Sequence, residues 1–194
     1  MLAAATAAAG LSAPASAAPP APVPQLELER YLGAWNQLAA IPQYFNLICA
    51  RDTRAEYDLD AAGDVSVRNT CTTWGGTLNE IPGTATVNDP DTGAQLHVSF
   101  PGVPTQDMRY GPTNYIVTAL GADYSWALVT DPYRLSGFVL SRTPALAPDQ
   151  WDRVRTAITD AGEDPCLYLT SPTTGGLQNI APLCSGTALT AADH

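Results

Sequence analysis

The chain has 194 residues, 14% of them charged, and its formal net charge is −10. This length fits a single domain with a sizeable core, and the negative charge repels nucleic-acid phosphates and anionic membrane surfaces. Polyanionic partners are therefore not expected.

The N-terminal segment, residues 1–17, predicts a secretion signal. It is uncharged and rich in alanine, and it ends in Ala15-Ser16-Ala17, which resembles a signal-peptidase site. Its basic start is missing, because the first basic residue is Arg30, so we expect a truncated signal. The apolar run is too short for a membrane anchor, and no cysteine that could carry a lipid precedes Cys49. An exported protein, secreted or in the cell envelope, with no transmembrane segment is expected.

The chain contains four cysteines with wide spacing and no C-x-x-C pair: Cys49, Cys71, Cys166 and Cys184. This pattern favours two disulfides in an oxidising compartment over a zinc site. Four cysteines allow three pairings, and their spacing alone does not choose between them.

After a proline-rich linker at residues 18–27, which is expected to lie outside the core, short alternating or apolar segments recur about every ten residues, as in all-β domains. The predicted strands are Trp35–Ile41, Thr53–Leu59, Val65–Cys71, Leu78–Val87, Ala94–Phe100, Asn114–Leu120, Trp126–Thr130 and Phe138–Arg142. Turn-forming residues at 60–64, 88–93 and 120–123 predict consecutive hairpins.

Near the C-terminus the spacing of apolar residues changes from that of a strand to that of a helix. It predicts one amphipathic helix at about 148–161. Pro148 and Asp149 suit a first helical turn, and Gly162 suits the stop. The apolar face comprises Trp151, Val154, Ile158 and Ala161. A short ninth strand, Leu167–Thr170, and a tail at 172–194 follow.

Eight antiparallel strands in simple succession predict an up-and-down β-barrel, because closure removes both sheet edges. The helix is expected to pack on the outside of the barrel at 28–171. A barrel of this size can hold one small ligand.

Several segments together resemble the lipocalin family, close to its bacterial lipocalin and apolipoprotein D branch. The matching segments are YLGAWNQLAAIP (31–42), YDLDAAGDVSVRN (57–69), GTATV (83–87), LHVSF (96–100), NYIVTALGADYSWALV (114–129) and GFVLSRTPAL (137–146). The Gly-x-Trp element is weak alone, but the downstream LSRTP and the strand spacings between them make the match specific.

The resemblance implies roles for four residues at the closed end of the barrel. Trp35 closes the floor, Arg142 packs across its indole face in a cation–π contact, and Gly33 leaves room for close backbone approach. Tyr124 aligns with the tyrosine of the family's Thr-Asp-x-x-Tyr block, although glycine replaces the acid of that turn here.

The resemblance also implies a disulfide pairing. In the apolipoprotein D branch the loop after the first strand is tied to the C-terminal tail, which maps onto Cys49–Cys184 and leaves Cys71 for Cys166. Cys71 has no clear equivalent there, so Cys49–Cys71 with Cys166–Cys184 stays open.

Strand parity and the resemblance together suggest a ligand site. Because Trp35 is placed inside, Gln37 and Ala39 share its side of the strand, and such small or polar residues leave space for a cavity. The remaining candidates for the lining are Tyr57, Asn69, Tyr115 and Trp126. The ligand implied is a small hydrophobic molecule, such as a fatty acid or lysophospholipid.

An enzyme built on the same barrel, such as an isomerase or a peroxide-handling protein, is the alternative. No nucleophile–base set, metal motif or cofactor fingerprint occurs in the sequence, so no catalytic residue, metal or cofactor is assigned. Glu56 and Asp58 lie at alternate positions of the predicted second strand, and Tyr57 lies between them. Either the two acids or the tyrosine can therefore face inward, but not both. His97 alternates with apolar residues and is predicted to face solvent, which disfavours a haem carrier.

Overall fold

The chain folds into a closed antiparallel barrel in the computed structural model, which describes residues 18–61 and 63–185. The predicted signal at 1–17 lies outside the described residues. The strands are β1 (Gly33–Ala40), β2 (Cys49–Leu59), β3 (Val65–Thr73), β4 (Leu78–Val87), β5 (Gln95–Ser99), β6 (Tyr115–Leu120), β7 (Trp126–Thr130), β8 (Gly137–Ser141) and β9 (Leu169–Thr170), and the α-helices are α1 (Leu28–Tyr31) and α2 (Pro148–Asp160).

Each strand from β1 to β8 pairs antiparallel with its neighbours in sequence, and β1 pairs with both β8 and β2. This closure confirms the predicted eight-stranded barrel, and β9 adds to β1 outside it. We call the end that carries α1 the floor. The opposite end, where the β1–β2, β3–β4 and β7–β8 connections lie, is the mouth.

Alternation along the strands separates an interior core from an outer one. The interior core takes side chains from every barrel strand, and it includes Trp35, Tyr57, Val67, Ala85, Leu96, Val117, Val129 and Leu140. Successive residues of a strand point to opposite faces, so the residues between these face outward.

The outer core lies between the barrel wall and α2. Trp151, Val154 and Ile158 form the buried face of the helix and pack against Leu128 and Val139 of the wall. The predicted helix at 148–161 is confirmed to within one residue, and its position on the outside of the barrel is also confirmed. None of the helices among the described residues is long and apolar enough to cross a lipid bilayer.

The prediction that the linker at 18–27 lies outside the core is wrong for its second half. The amide of Val23 donates to the carbonyl oxygen of Val117, and that of Leu26 donates to Thr92, at 2.8 and 2.7 Å. Leu26 is buried in the interior core. The segment therefore runs along the floor end of the barrel before α1 begins.

The disulfide pairing implied by the resemblance is wrong. The bridges are Cys49–Cys71 and Cys166–Cys184, with Cα atoms 5.6 and 4.8 Å apart. Cys49 begins β2 and Cys71 lies near the end of its partner strand β3, so the sheet itself brings this pair together. The antiparallel bridge between Leu169 and Pro182 does the same for the other pair.

The C-terminal segment reaches the first strands through hydrogen bonds instead. The amide of Ser171 donates to Leu38, and the amide of Asp52 donates to Pro172, at 2.8 and 2.9 Å. The Asp52 carboxylate accepts from the amide and the hydroxyl of Thr174. The tail after β9 is therefore held against β1 and β2 without a covalent link to them.

One buried carboxyl group lies between the end of α2 and the residue that precedes β9. Glu163 follows α2, and its Oε2 accepts a 2.6 Å hydrogen bond from the hydroxyl of Tyr168. Its Oε1 is buried with no hydrogen-bond partner among the described residues. Burial, together with the negative charge of Asp131, raises the pKa of Glu163 to about 7, although the Tyr168 hydrogen bond and Arg134 lower it.

We predict that the protein loses stability as the pH rises through neutrality. The pKa of Glu163 is raised by folding, so its contribution is complete below the pKa of the unfolded chain and is lost as the pH rises through the folded pKa. The free energy of unfolding in urea should therefore be lower at about pH 8 than at about pH 5.5. Glu163→Gln should remove most of that difference, whereas an unchanged pH dependence in this variant would contradict the assignment.

Candidate functional site

The floor of the barrel is closed by Arg142 stacked on Trp35. Trp35 is fully buried, and its Nε1 donates to the carbonyl oxygen of Tyr31 at 2.8 Å. The Arg142 guanidinium lies 3.7 Å from the centroid of the indole. Its nitrogens donate to the carbonyl oxygens of Ala34 and Arg30 at 2.9 and 2.7 Å. This cation thus joins β1, α1 and the end of β8, in the arrangement that the resemblance implies.

Two further residues at the floor have roles that the geometry explains. Gly33 has φ of +89°, which favours glycine, whereas a Cβ there would lie in ordinary van der Waals contact, 3.5 Å from Nη1 of Arg142, so the positive φ rather than close approach explains the glycine. The hydroxyl of Tyr124 accepts from the amide of Glu27 at 2.9 Å. Arg30 lies over the Tyr124 ring, 4.3 Å from its centroid. Tyr124 therefore secures the segment that enters α1.

Three tyrosines, of which Tyr31 and Tyr57 are buried and Tyr115 is half-buried, meet directly above this floor and form the tyrosine cluster. The hydroxyl of Tyr115 lies 2.7 Å from that of Tyr31 and 3.1 Å from that of Tyr57. The rings of Tyr31 and Tyr57 stack with centroids 5.7 Å apart. Burial raises the pKa of Tyr57 to about 12 and raises the pKa of Tyr31 and Tyr115 well above the ordinary value. All three therefore stay neutral hydrogen-bonding groups at physiological pH.

A small cavity touches the tyrosine cluster. Its volume is about 20 Å³, close to the room that one water molecule requires. It is lined by Leu28, Tyr31, Tyr57, Val65, Ala85, Leu96, Val98 and Tyr115. The buried side chains of the interior core pack around this cavity in the lower half of the barrel.

The interior wall becomes more accessible toward the mouth. On β3, Val67 is buried, whereas Asn69, two residues nearer the mouth, is half-buried, and only Cys71 beyond it, which is held in its disulfide, is buried again. On β4, Ala85 is buried, whereas Ile81 and Asn79 are half-buried. The register places Asn69 opposite Ile81, so these side chains share the interior face. The upper half of the barrel is therefore an open cup above a packed base.

The connections at the mouth expose apolar side chains and are linked to one another. Trp74 is 69% exposed, yet its Nε1 donates to the carbonyl oxygen of Leu47 at 2.9 Å. Gln43 donates to the carbonyl oxygen of Leu135 at 2.8 Å. The other exposed apolar residues here include Tyr44, Phe45, Ile48, Leu78 and Tyr133. An apolar rim thus surrounds the entrance.

The structure brings some of the predicted lining residues together. Tyr57 and Tyr115 meet in the tyrosine cluster, and Asn69 faces the interior opposite Ala55. Gln37 is buried, and its Nε2 donates to the hydroxyl of Ser171 at 2.9 Å. Its amide group therefore holds the C-terminal segment.

The predictions that Ala39 and Trp126 line the interior are wrong. A β-bulge in β1 shifts the register between Gln37 and Ala39, so Ala39 lies opposite Val139. The extra residue reverses the parity, and Ala39 packs in the outer core. Trp126 belongs to the same outer core, because its neighbour Ala127 occupies the inward position on β7.

Tyr31 is the functional candidate that sequence reasoning missed. It precedes the first predicted strand, within a stretch where no helix was expected, and its hydroxyl nevertheless reaches the interior from α1. Because α1 ends at Tyr31 and Trp35 lies on β1, no helical spacing links the two residues, and no local signal in the sequence could have found this contact.

His97 faces outward as its parity predicts, but it is not solvated. It is buried beneath the β5–β6 connection, with Nδ1 2.7 Å from the carbonyl oxygen of Pro112 and Nε2 2.8 Å from that of Met108. Both neighbours are backbone carbonyl oxygens, so the connection holds the ring between two hydrogen-bond acceptors. The prediction of a solvent-exposed histidine is wrong because this connection folds back over β5.

The acidic residues of β2 lie outside the barrel. Tyr57 is the residue that faces inward, so Glu56 and Asp58 face outward. Glu56 forms an ion pair with Arg68 of β3 on the outer surface. These carboxylates are therefore not part of the interior.

Comparisons with known proteins match most of the chain. The profile of the family described as lipocalin-like domain matches residues 26–172. The chain is similar to outer membrane lipoprotein Blc of Escherichia coli, with 33% identity covering 87% of this chain and 93% of the relative. Temperature-induced lipocalin-1 of Arabidopsis thaliana is 32% identical, covering 72% and 75%. Mouse apolipoprotein D is 26% identical, covering 71% and 72%.

Among solved structures, insecticyanin from the tobacco hornworm Manduca sexta superposes with a TM-score of 0.60. The two chains share 19% identity, and the alignment covers 78% of this chain and 82% of the other. At this identity the likeness shows a common fold.

We predict that Arg142→Lys lowers the free energy of unfolding in urea by about 1.5–3 kcal/mol, because lysine cannot keep the stacked plane and the forked donors together. Arg153→Lys is the matched control, since Arg153 lies on the exposed face of α2 in an ion pair with Asp149. The control should change stability by less than about 0.5 kcal/mol. Equal effects of the two substitutions would contradict the role given to Arg142.

Proposed function

The chain belongs to the lipocalin family, and from this premise we propose that it binds and carries one small hydrophobic molecule in its barrel. The observation that carries the proposal is the gradient of burial along the interior, from a packed floor to an open cup at the mouth. A site with one closed end and one open end encloses a ligand and still allows it to enter and leave.

The ligand that best fits this shape is a single-chain amphiphile. Removing apolar surface from water contributes about 25 cal/mol per Å², so an alkyl chain needs few directed polar contacts. Interior residues such as Ile81, Phe100 and Phe138 are half-buried and offer apolar surface to such a chain. The fatty acid or lysophospholipid expected from the resemblance are simple representatives of this class.

The mouth supports the entry of an apolar ligand. The rim exposes apolar side chains on the β1–β2 and β3–β4 connections, including Leu47, which is 73% exposed. The Cys49–Cys71 bridge joins β2, which follows the β1–β2 connection, to β3, which precedes the β3–β4 connection. The rim is thereby held in place while its apolar side chains remain available to a ligand.

We propose that the protein works outside the cytoplasm, secreted or in the cell envelope. Its two disulfides suit an oxidising compartment, and the sequence at 1–17 has the composition of a secretion signal. Relatives named outer membrane lipoprotein and apolipoprotein D support the same location.

We predict saturable binding of a fluorescent fatty-acid probe with one site per chain. Ala55→Phe should weaken that binding strongly, because Ala55 is buried on the interior face opposite Trp35 and Asn69, and the larger ring would fill the base of the cup. Arg54→Phe is the matched control, since it introduces the same side chain at the next residue, which is exposed.

The control should bind the probe as the unchanged protein does. Probe binding that does not saturate, or that both substitutions weaken equally, would place the probe on the surface and overturn the proposal.

A further inference from the structure

We propose that the barrel interior selects an uncharged amphiphile with a hydroxyl head group over a carboxylate of the same chain length. The inference rests on the proposed function and goes further by naming the head group. It follows from the charges that are absent from the described interior wall, and from one buried oxygen that lacks a hydrogen-bond donor.

No interior-facing strand residue among the described ones carries a charge between the floor and the mouth. Arg142 at the floor already donates to backbone carbonyls and stacks on Trp35. Asp131 at the mouth accepts from the amides of Tyr133 and Leu135 in its own connection. A carboxylate drawn into the cup would therefore leave water without gaining a counter-ion, which is costly.

The tyrosine cluster also disfavours a charged head group. Its three hydroxyls are hydrogen-bonded to one another, and burial holds all three phenols in their neutral form. The same loss of hydration that opposes a phenolate there opposes a carboxylate. The base of the cup is thus built for neutral groups.

Asn69 provides the contact that distinguishes a hydroxyl. Its Oδ1 is buried and has no hydrogen-bond partner among the described residues. It lies on the interior face of β3, two residues nearer the mouth than Val67, which is opposite Tyr57. An alcohol can donate a hydrogen bond to this oxygen, whereas an ionised carboxylate can only accept.

Three ligands with the same ten-carbon chain separate the effect of the head group's charge from the effect of its hydrogen bonding. They are 1-decanol, methyl decanoate and decanoate. Each would be measured at neutral pH by displacement of the fluorescent probe from the full chain. We expect 1-decanol to bind at least about tenfold more tightly than decanoate, with methyl decanoate between them. A smaller ratio, or a preference for decanoate, overturns the inference while the proposed function stands.

Two substitutions test the role of Asn69. Asn69→Leu should weaken 1-decanol about fivefold and leave methyl decanoate unchanged, because only the alcohol donates to Oδ1. Asn179→Leu is the matched control, since Asn179 is exposed on the C-terminal segment outside the barrel and should leave both affinities unchanged. Equal losses for the alcohol and the ester in Asn69→Leu would overturn the assigned contact.

A converse variant adds the missing charge. Asn69→Lys should invert the order so that decanoate binds more tightly than 1-decanol, with retention of the fold checked by thermal unfolding. Binding of none of the three ligands to the unchanged protein would overturn the proposed function itself, which is a different result from the loss of selectivity.

Discussion

The contact between Arg142 and Trp35 is the interaction on which the remaining structure depends. A barrel has no sheet edges, but it has two open ends, and a binding site requires that one of them be closed. The Arg142 guanidinium closes it by covering the indole and by donating to the backbone of α1 and β1. Because α1 is held there, Tyr31 reaches the interior and the tyrosine cluster can form.

The closed floor determines how the rest of the interior can be used. The lower half is packed around the tyrosines, and the cavity described there is water-sized, so the proposed ligand space is the half-buried cup above it. The β-bulge in β1 divides the inward residues of the floor from the outward residues that support α2. One strand thereby serves both cores, and the helix stabilises the wall without entering the site.

Much of this fold could be predicted from the sequence, since strand periodicity, turn residues and the amphipathic helix are local signals. The stack of Arg142 on Trp35 needed the family resemblance, because the two residues are distant in sequence. The sequence predictions fail where contacts between residues distant in sequence determine the structure. Strand parity misplaces Ala39 because a bulge reverses it, and no local signature predicts the backbone hydrogen bond to Thr92 that brings Leu26 into the core. Sequence parity also could not reveal that Trp126 supports the helix.

Hydrogen exchange at the Trp35 indole tests the account of the closed floor most directly. The Nε1 hydrogen is buried in its bond to Tyr31, so it should exchange only through global unfolding, with an opening free energy equal to that from urea denaturation. Amides in the mouth connections at 43–48 and 74–77 should exchange much faster. An indole hydrogen that exchanges as fast as these mouth amides would show that the floor opens on its own and would contradict the account.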